Sequence, residues 1–121
     1  MKILIVDDSG VMRRIHKNTL KENKIPEEWL LEAADGAEAL MRAKENVINL
    51  FLVDWNMPKL DGLEFVKKIR ATEKYKDTPI IMVTSEAAKY NVVQAINAGV
   101  TDYVVKPIQG SVLWNKISSY L

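Results

Sequence analysis

The sequence predicts an α/β fold: one sheet of five parallel strands with helices on both faces. Three features carry that expectation: short apolar runs that recur five times, stretches of helical period between them, and turn residues at the joints. Runs that are apolar throughout mark strands covered on both faces. Their alternation with helices calls for right-handed crossovers between parallel neighbours.

Ile3-Leu4-Ile5-Val6 is the first strand, and Met12 to Leu20 has the period of the first helix. An irregular Lys24-Ile25-Pro26-Glu27-Glu28 leads to the second strand, Trp29-Leu30-Leu31. Asp35-Gly36 then introduces a helix from Ala37 to Val47. Leu50-Phe51-Leu52-Val53 is the third strand, and Asp61-Gly62 opens a helix from Leu63 to Ile69. After Thr78-Pro79 come the fourth strand, Ile80-Ile81-Met82-Val83, and a helix from Tyr90 to Ala98 that Gly99 ends. Tyr103-Val104-Val105 is the fifth strand, and Gln109-Gly110-Ser111 leads into the last helix, Val112 to Tyr120.

Helical spacing puts Met12 and Met41 on core stripes, and His16, among Arg13, Arg14 and Lys17, on a solvated face. In the last helix Val112, Leu113, Ile117 and Tyr120 make the core stripe. Trp114 is then either turned to solvent or packed over a neighbouring helix. Gly36, Gly62 and Gly99 are expected at helix ends and turns.

A chain of 121 residues, 48% of them hydrophobic, suits a single domain over 1–121 with no output domain. The balance of 17 Lys and Arg against 16 Asp and Glu gives no overall field for nucleic acid or an anionic membrane. With no cysteine and one histidine there is no thiolate metal site and no histidine-rich cage. The apolar runs are too short to span a bilayer, so a soluble, cytoplasmic monomer is expected.

In an open parallel sheet, ligands bind beyond the carboxyl ends of the strands. The first strand runs out into Asp7-Asp8, the third into Asp54, the fourth into Thr84-Ser85 and the fifth into Lys106-Pro107. Crowded carboxylates need a cation or a proton. Magnesium prefers hard oxygen ligands and is commonly shared between carboxylates and phosphate, while a lysine and a hydroxyl suit the remaining phosphate oxygens. Each feature also has a plain structural reading. Asp7-Asp8 could cap a helix, Asp54 could belong to a turn, Thr84 or Ser85 could cap the fourth helix, and Lys106-Pro107 could be a turn. Their convergence on one edge favours a phosphoryl site. No Gly-x-x-x-x-Gly-Lys loop is present.

Val6-Asp7-Asp8-Ser9, Met12-Arg13-Arg14-Ile15, Asp54-Trp55-Asn56-Met57-Pro58, Asp61-Gly62 and Tyr103-Val104-Val105-Lys106-Pro107 together resemble the receiver domain of two-component response regulators. The likeness covers the whole chain and is strongest to stand-alone, CheY-like chemotaxis regulators. It implies a flavodoxin-like strand order of 2-1-3-4-5. It also implies Asp54 as the acceptor of a phosphoryl group from a sensor histidine kinase, and Mg²⁺ held by Asp7, Asp8, Asp54 and the backbone carbonyl of Asn56. Lys106 and Thr84 would contact the phosphoryl group, and Thr84 and Tyr103 would form the switch. Asn56 and Glu86 would tune dephosphorylation. Lys89, Tyr90, Tyr103, Trp114 and Lys116 would face a partner such as a flagellar switch protein or a phosphatase.

The family is catalytic only toward its own phosphorylation and dephosphorylation. This sequence departs from the CheY-like pattern at Ser9 and Ser85. Alternatives are an unphosphorylated docking module, a phosphate sink, or a magnesium-dependent phosphoaspartate phosphohydrolase of the haloacid dehalogenase type. The last would require an Asp-x-Asp motif where Asp7-Asp8 stands. A flavin carrier would require a Ser/Thr/Gly-rich loop at the same place.

Overall fold

The computed structural model describes residues 1–57, 59–85 and 89–121, with Lys89 and Tyr90 described by backbone alone. Strands β1 (Ile3–Val6), β2 (Leu30–Ala33), β3 (Leu50–Asp54), β4 (Ile80–Thr84) and β5 (Asp102–Val105) alternate with five helices. The helices are α1 (Gly10–Glu22), α2 (Gly36–Glu45), α3 (Gly62–Arg70), α4 (Lys89–Ala98) and α5 (Gly110–Ser118). All strand pairs are parallel, in the order β2-β1-β3-β4-β5. Trp29 lies in a 3₁₀ turn before β2, which therefore begins one residue later than its apolar run suggests.

Side chains alternate across the sheet and feed two cores. Phe51 and Val53 of β3 join Ala39, Phe65 and Ala95 on the α2, α3 and α4 side. Leu50 and Leu52 join Leu20, Leu113 and Ile117 on the α1 and α5 side. Phe51 is fully buried, with Phe65 and Tyr75 edge-on at ring-centre distances of 5.7 and 5.1 Å. The Tyr75 hydroxyl lies 2.5 Å from the Ala43 carbonyl and 2.6 Å from that of Asn46, tying down the end of α2.

Three helices begin directly behind strand ends with side-chain caps. Ser9, Asp35 and Asp61 accept the N–H groups of Met12, Glu38 and Glu64 at 3.2, 2.8 and 2.9 Å. At the outer edge, among the described residues, β5 pairs only with β4. There the Asp102 carboxylate accepts bonds from the Tyr103 N–H at 2.8 Å, Lys116 Nζ at 3.1 Å and the Tyr120 hydroxyl at 3.4 Å.

Three helical expectations are corrected. His16 is buried, at 1% exposure, because Met12, His16 and Leu20 recur at intervals of four and His16 shares their inward face. Met41 is 59% exposed, since α2 buries Gly36, Ala39 and Ala43 and turns Met41 away. In α5, Leu113 and Ile117 are the buried pair; Val112 is exposed and Trp114 is partly buried against the α1 and α5 core.

Truncating Phe51→Ala should destabilise the protein by about 3–5 kcal/mol in urea unfolding, while Val47→Ala, at an exposed position, should change it by less than about 0.5 kcal/mol. Similar losses for both would place the core elsewhere.

Candidate functional site

The parallel register brings four strand ends to one rim. Asp7 follows the last residue of β1, Asp54 ends β3, Thr84 ends β4 and Lys106 follows β5. Carboxylate oxygens of Asp7, Asp8 and Asp54 all lie within 4.8 Å of one another. Asp7 and Asp54 are buried, at 1% and 4% exposure, Thr84 is buried at 2%, and Asp8 is exposed. Lys106 Nζ stands 3.2 Å from Asp54 Oδ1, supplying one positive charge to the three acids.

The rim is braced from below. Val6 and Val53 are partners, so Asp7 and Asp54 emerge side by side. The Trp55 N–H donates to the Val83 carbonyl at 3.2 Å, and the Lys106 N–H donates to that of Thr84 at 2.8 Å. Gly62 N–H donates to the Trp55 carbonyl at 2.8 Å. A Cβ on Gly62 would overlap the Asp54 carbonyl oxygen and stand 2.8 Å from the Trp55 Cα. Only a glycine lets the first turn of α3 sit this close behind Asp54.

Ser9, and neither aspartate, caps α1, so both acids remain available to the rim. Asp7 Oδ1 accepts the Ser9 N–H at 2.9 Å, while its Oδ2 is buried without a partner among the described residues. The Asp7 carboxyl is raised to about 6: burial pushes it up most, the Ser9 N–H pulls it down and the Asp54 charge pushes it up. Burial also raises Asp54, opposed by the Lys106 charge and hydrogen bond and by the Asn56 N–H. A small, hard dication fits this all-oxygen donor set, and Asp7 Oδ2 is the buried acceptor that such an ion would satisfy.

Asn56 is exposed in the loop after β3. Tyr103 is half-buried against the α2, α3 and α4 core, with Lys116 Nζ 5.9 Å from its ring centre. Trp114 packs on the opposite side of the sheet. Glu86 and the side chains of Lys89 and Tyr90 lie outside the described residues.

Sequence reading gave no special role to Arg13, although its Nη1 donates to the Asp7 carbonyl at 2.6 Å. The sequence offers no sign of which arginine of the adjacent pair folds back. For Gly62 the sign was present in Asp61-Gly62, but its close approach to Asp54 is a tertiary fact. His16 has neither ring nitrogen bonded among the described residues. Burial, with a further push from the Lys106 charge, lowers it to about 4, leaving a neutral imidazole near neutrality.

The family model of the response regulator receiver domain matches residues 3–118. A chemotaxis protein CheY homolog from Campylobacter jejuni is 48% identical, over 100% of this chain and 92% of that protein. The high-resolution structure of the chemotaxis response regulator CheY4 of Vibrio cholerae superposes with a TM-score of 0.91 at 35% identity, covering 99% of this chain and 98% of that one. The receiver domain of the Pseudomonas aeruginosa sensor histidine kinase PA1611, solved with a magnesium ion coordinated in its active-site cleft, gives 0.87 at 28% identity over 98% and 95%.

Without metal, Asp7 is protonated more readily in the folded than in the unfolded state. Its stabilising share is therefore complete at low pH and lost as pH rises through about 6. Asp7→Asn should make chelator-treated protein more stable than the parent by about 1–2 kcal/mol at about pH 7.5, with the gain gone near about pH 4. A variant less stable than the parent at the higher pH would contradict this account of Asp7.

Proposed function

The chain belongs to the response regulator receiver domain family and is CheY-like along its length, and from that premise we propose a phosphorylation switch centred on Asp54. One observation carries the reading: three carboxylates whose oxygens lie within 4.8 Å of one another, with Lys106 Nζ 3.2 Å from that of Asp54, at the carboxyl rim of a parallel sheet.

In this reading an oxygen of Asp54 attacks the phosphorus of a kinase phosphohistidine. The P–N bond breaks, the imidazole leaves with the electron pair and gains a proton, and an acyl phosphate remains on Asp54. Asp7, Asp8, Asp54 and the Asn56 carbonyl would hold Mg²⁺, which neutralises phosphoryl charge when bound. The magnesium in the PA1611 receiver supports that choice of ion. Lys106 already pairs with the Asp54 carboxylate and is within reach of a phosphoryl oxygen placed there. The Thr84 hydroxyl bonds another of these oxygens.

A charge-assisted hydrogen bond made only in the phosphorylated form is worth about 1.5–3 kcal/mol, which shifts a two-state equilibrium roughly ten- to a hundredfold. That bond, from Thr84, biases Tyr103 inward and so reshapes the face formed by α4, β5 and α5. On it lie Lys89, Tyr90, Tyr103, Trp114 and Lys116, and the exposed Val93, Ile96 and Val105 add apolar surface. The partners are a sensor histidine kinase and a flagellar switch protein, with a phosphatase to reset the signal. Asn56 and Glu86 flank the water that hydrolyses the acyl phosphate and keep its lifetime short.

Incubation with acetyl phosphate and Mg²⁺ should add one phosphoryl group by intact mass, lost again within minutes to an hour of donor removal. Asp54→Asn protein and chelator-treated protein should gain none. Addition that persists in Asp54→Asn would move the acceptor elsewhere, and none in the parent would leave a docking module.

A further inference from the structure

We propose that Arg13 is a positioning residue for the divalent-cation site, acting through the main chain of Asp7 and Asp8. The inference rests on reading Asp7, Asp8 and Asp54 as magnesium ligands.

Arg13 lies one turn into α1, and its side chain folds back over the start of the helix. Its backbone N–H donates to the Ser9 carbonyl at 3.0 Å, and its Nη1 donates to the Asp7 carbonyl at 2.6 Å. With the Ser9 N–H bonded to Asp7 Oδ1 and the Met12 N–H bonded to Ser9 Oγ, residues 7–13 form a closed ring of hydrogen bonds. The Asp7 carbonyl and the Asp8 N–H share one rigid peptide plane. Holding that carbonyl therefore sets where the Asp8 side chain leaves the backbone. Asp8 is the exposed member of the acidic trio, so its aim depends most on the chain beneath it.

The guanidinium is itself anchored. Arg13 Nε donates to Glu32 Oε1 at 3.0 Å, and Lys17 Nζ reaches Glu32 Oε2 at 3.3 Å. Burial pushes Glu32 up, but the hydrogen bonds from Arg13 and Lys17 and their charges outweigh it and keep the carboxylate ionised. A Cβ built on Gly10 would lie 3.5 Å from Arg13 Nη2, so the group rests against a bare backbone. The planar fork spans the Asp7 carbonyl and Glu32 of β2 at once, a geometry that the single ammonium of lysine does not reproduce.

The sign of the effect separates positioning from simple charge. Removing a cation near a dication site tightens metal binding by Coulomb's law, whereas loosening a ligand weakens it. Mg²⁺ alone would be titrated by calorimetry into the parent, Arg13→Ala, Arg13→Lys, Glu32→Gln and, as a control, Arg14→Ala. Urea midpoints would be measured in chelator for each. We expect about ten- to a hundredfold weaker Mg²⁺ binding in Arg13→Ala, weaker binding in Arg13→Lys despite its retained charge, a smaller loss in Glu32→Gln, and no change in Arg14→Ala. Unchanged or tighter binding in Arg13→Lys and Glu32→Gln, with or without a lowered urea midpoint, overturns the inference. A parent protein that binds no Mg²⁺ overturns the metal site as well, which distinguishes the two failures.

Discussion

Two carboxyl groups, Asp7 and Asp54, stand almost dry at the ends of neighbouring strands, and the fold has to hold them there against their own repulsion. Burial favours the protonated form of both. Lys106 and backbone N–H groups offset only part of that penalty. A dication among these carboxylates would offset their mutual repulsion.

The rest of the chain supplies rigidity at that point. Strands apolar on both faces fix the register, and register alone places Asp7 beside Asp54 and Thr84 one step beyond it on the next strand. Helix caps at Ser9, Asp35 and Asp61 anchor the loops that leave the same rim, and Gly62 lets α3 brace Asp54 from behind. The two cores on opposite faces of the sheet hold these pieces in place.

The sheet and its helices could be read from the sequence because continuous apolar runs and helical periods are local signals, and strand-end polar residues project to one rim by topology alone. Resemblance supplied the strand order. What stayed hidden depends on direction and neighbours. His16 was misjudged from its charged flanks, although its spacing from Met12 and Leu20 pointed inward. Met41 and Val112 looked like core by hydrophobicity, but small residues such as Ala39 and Ala43 let α2 approach the sheet without its methionine. Trp114 could be placed only once the packing of α5 was known. The Arg13 clamp needs a side chain to turn back along its own helix, which no periodicity encodes.

The outer strands bear on a different property. Each end of the sheet exposes a row of backbone groups that could recruit a strand from another molecule. β5 is only four residues long, and beside it Lys116 and Tyr120 converge on Asp102. At the other end β2 is equally short, and its Glu32 is bound to Arg13 and Lys17. Short edges flanked by fixed charges are poor templates for further pairing. The side chains that hold Asp102 and Glu32 at the two edges thus also guard the molecule against self-assembly into extended sheets at high concentration.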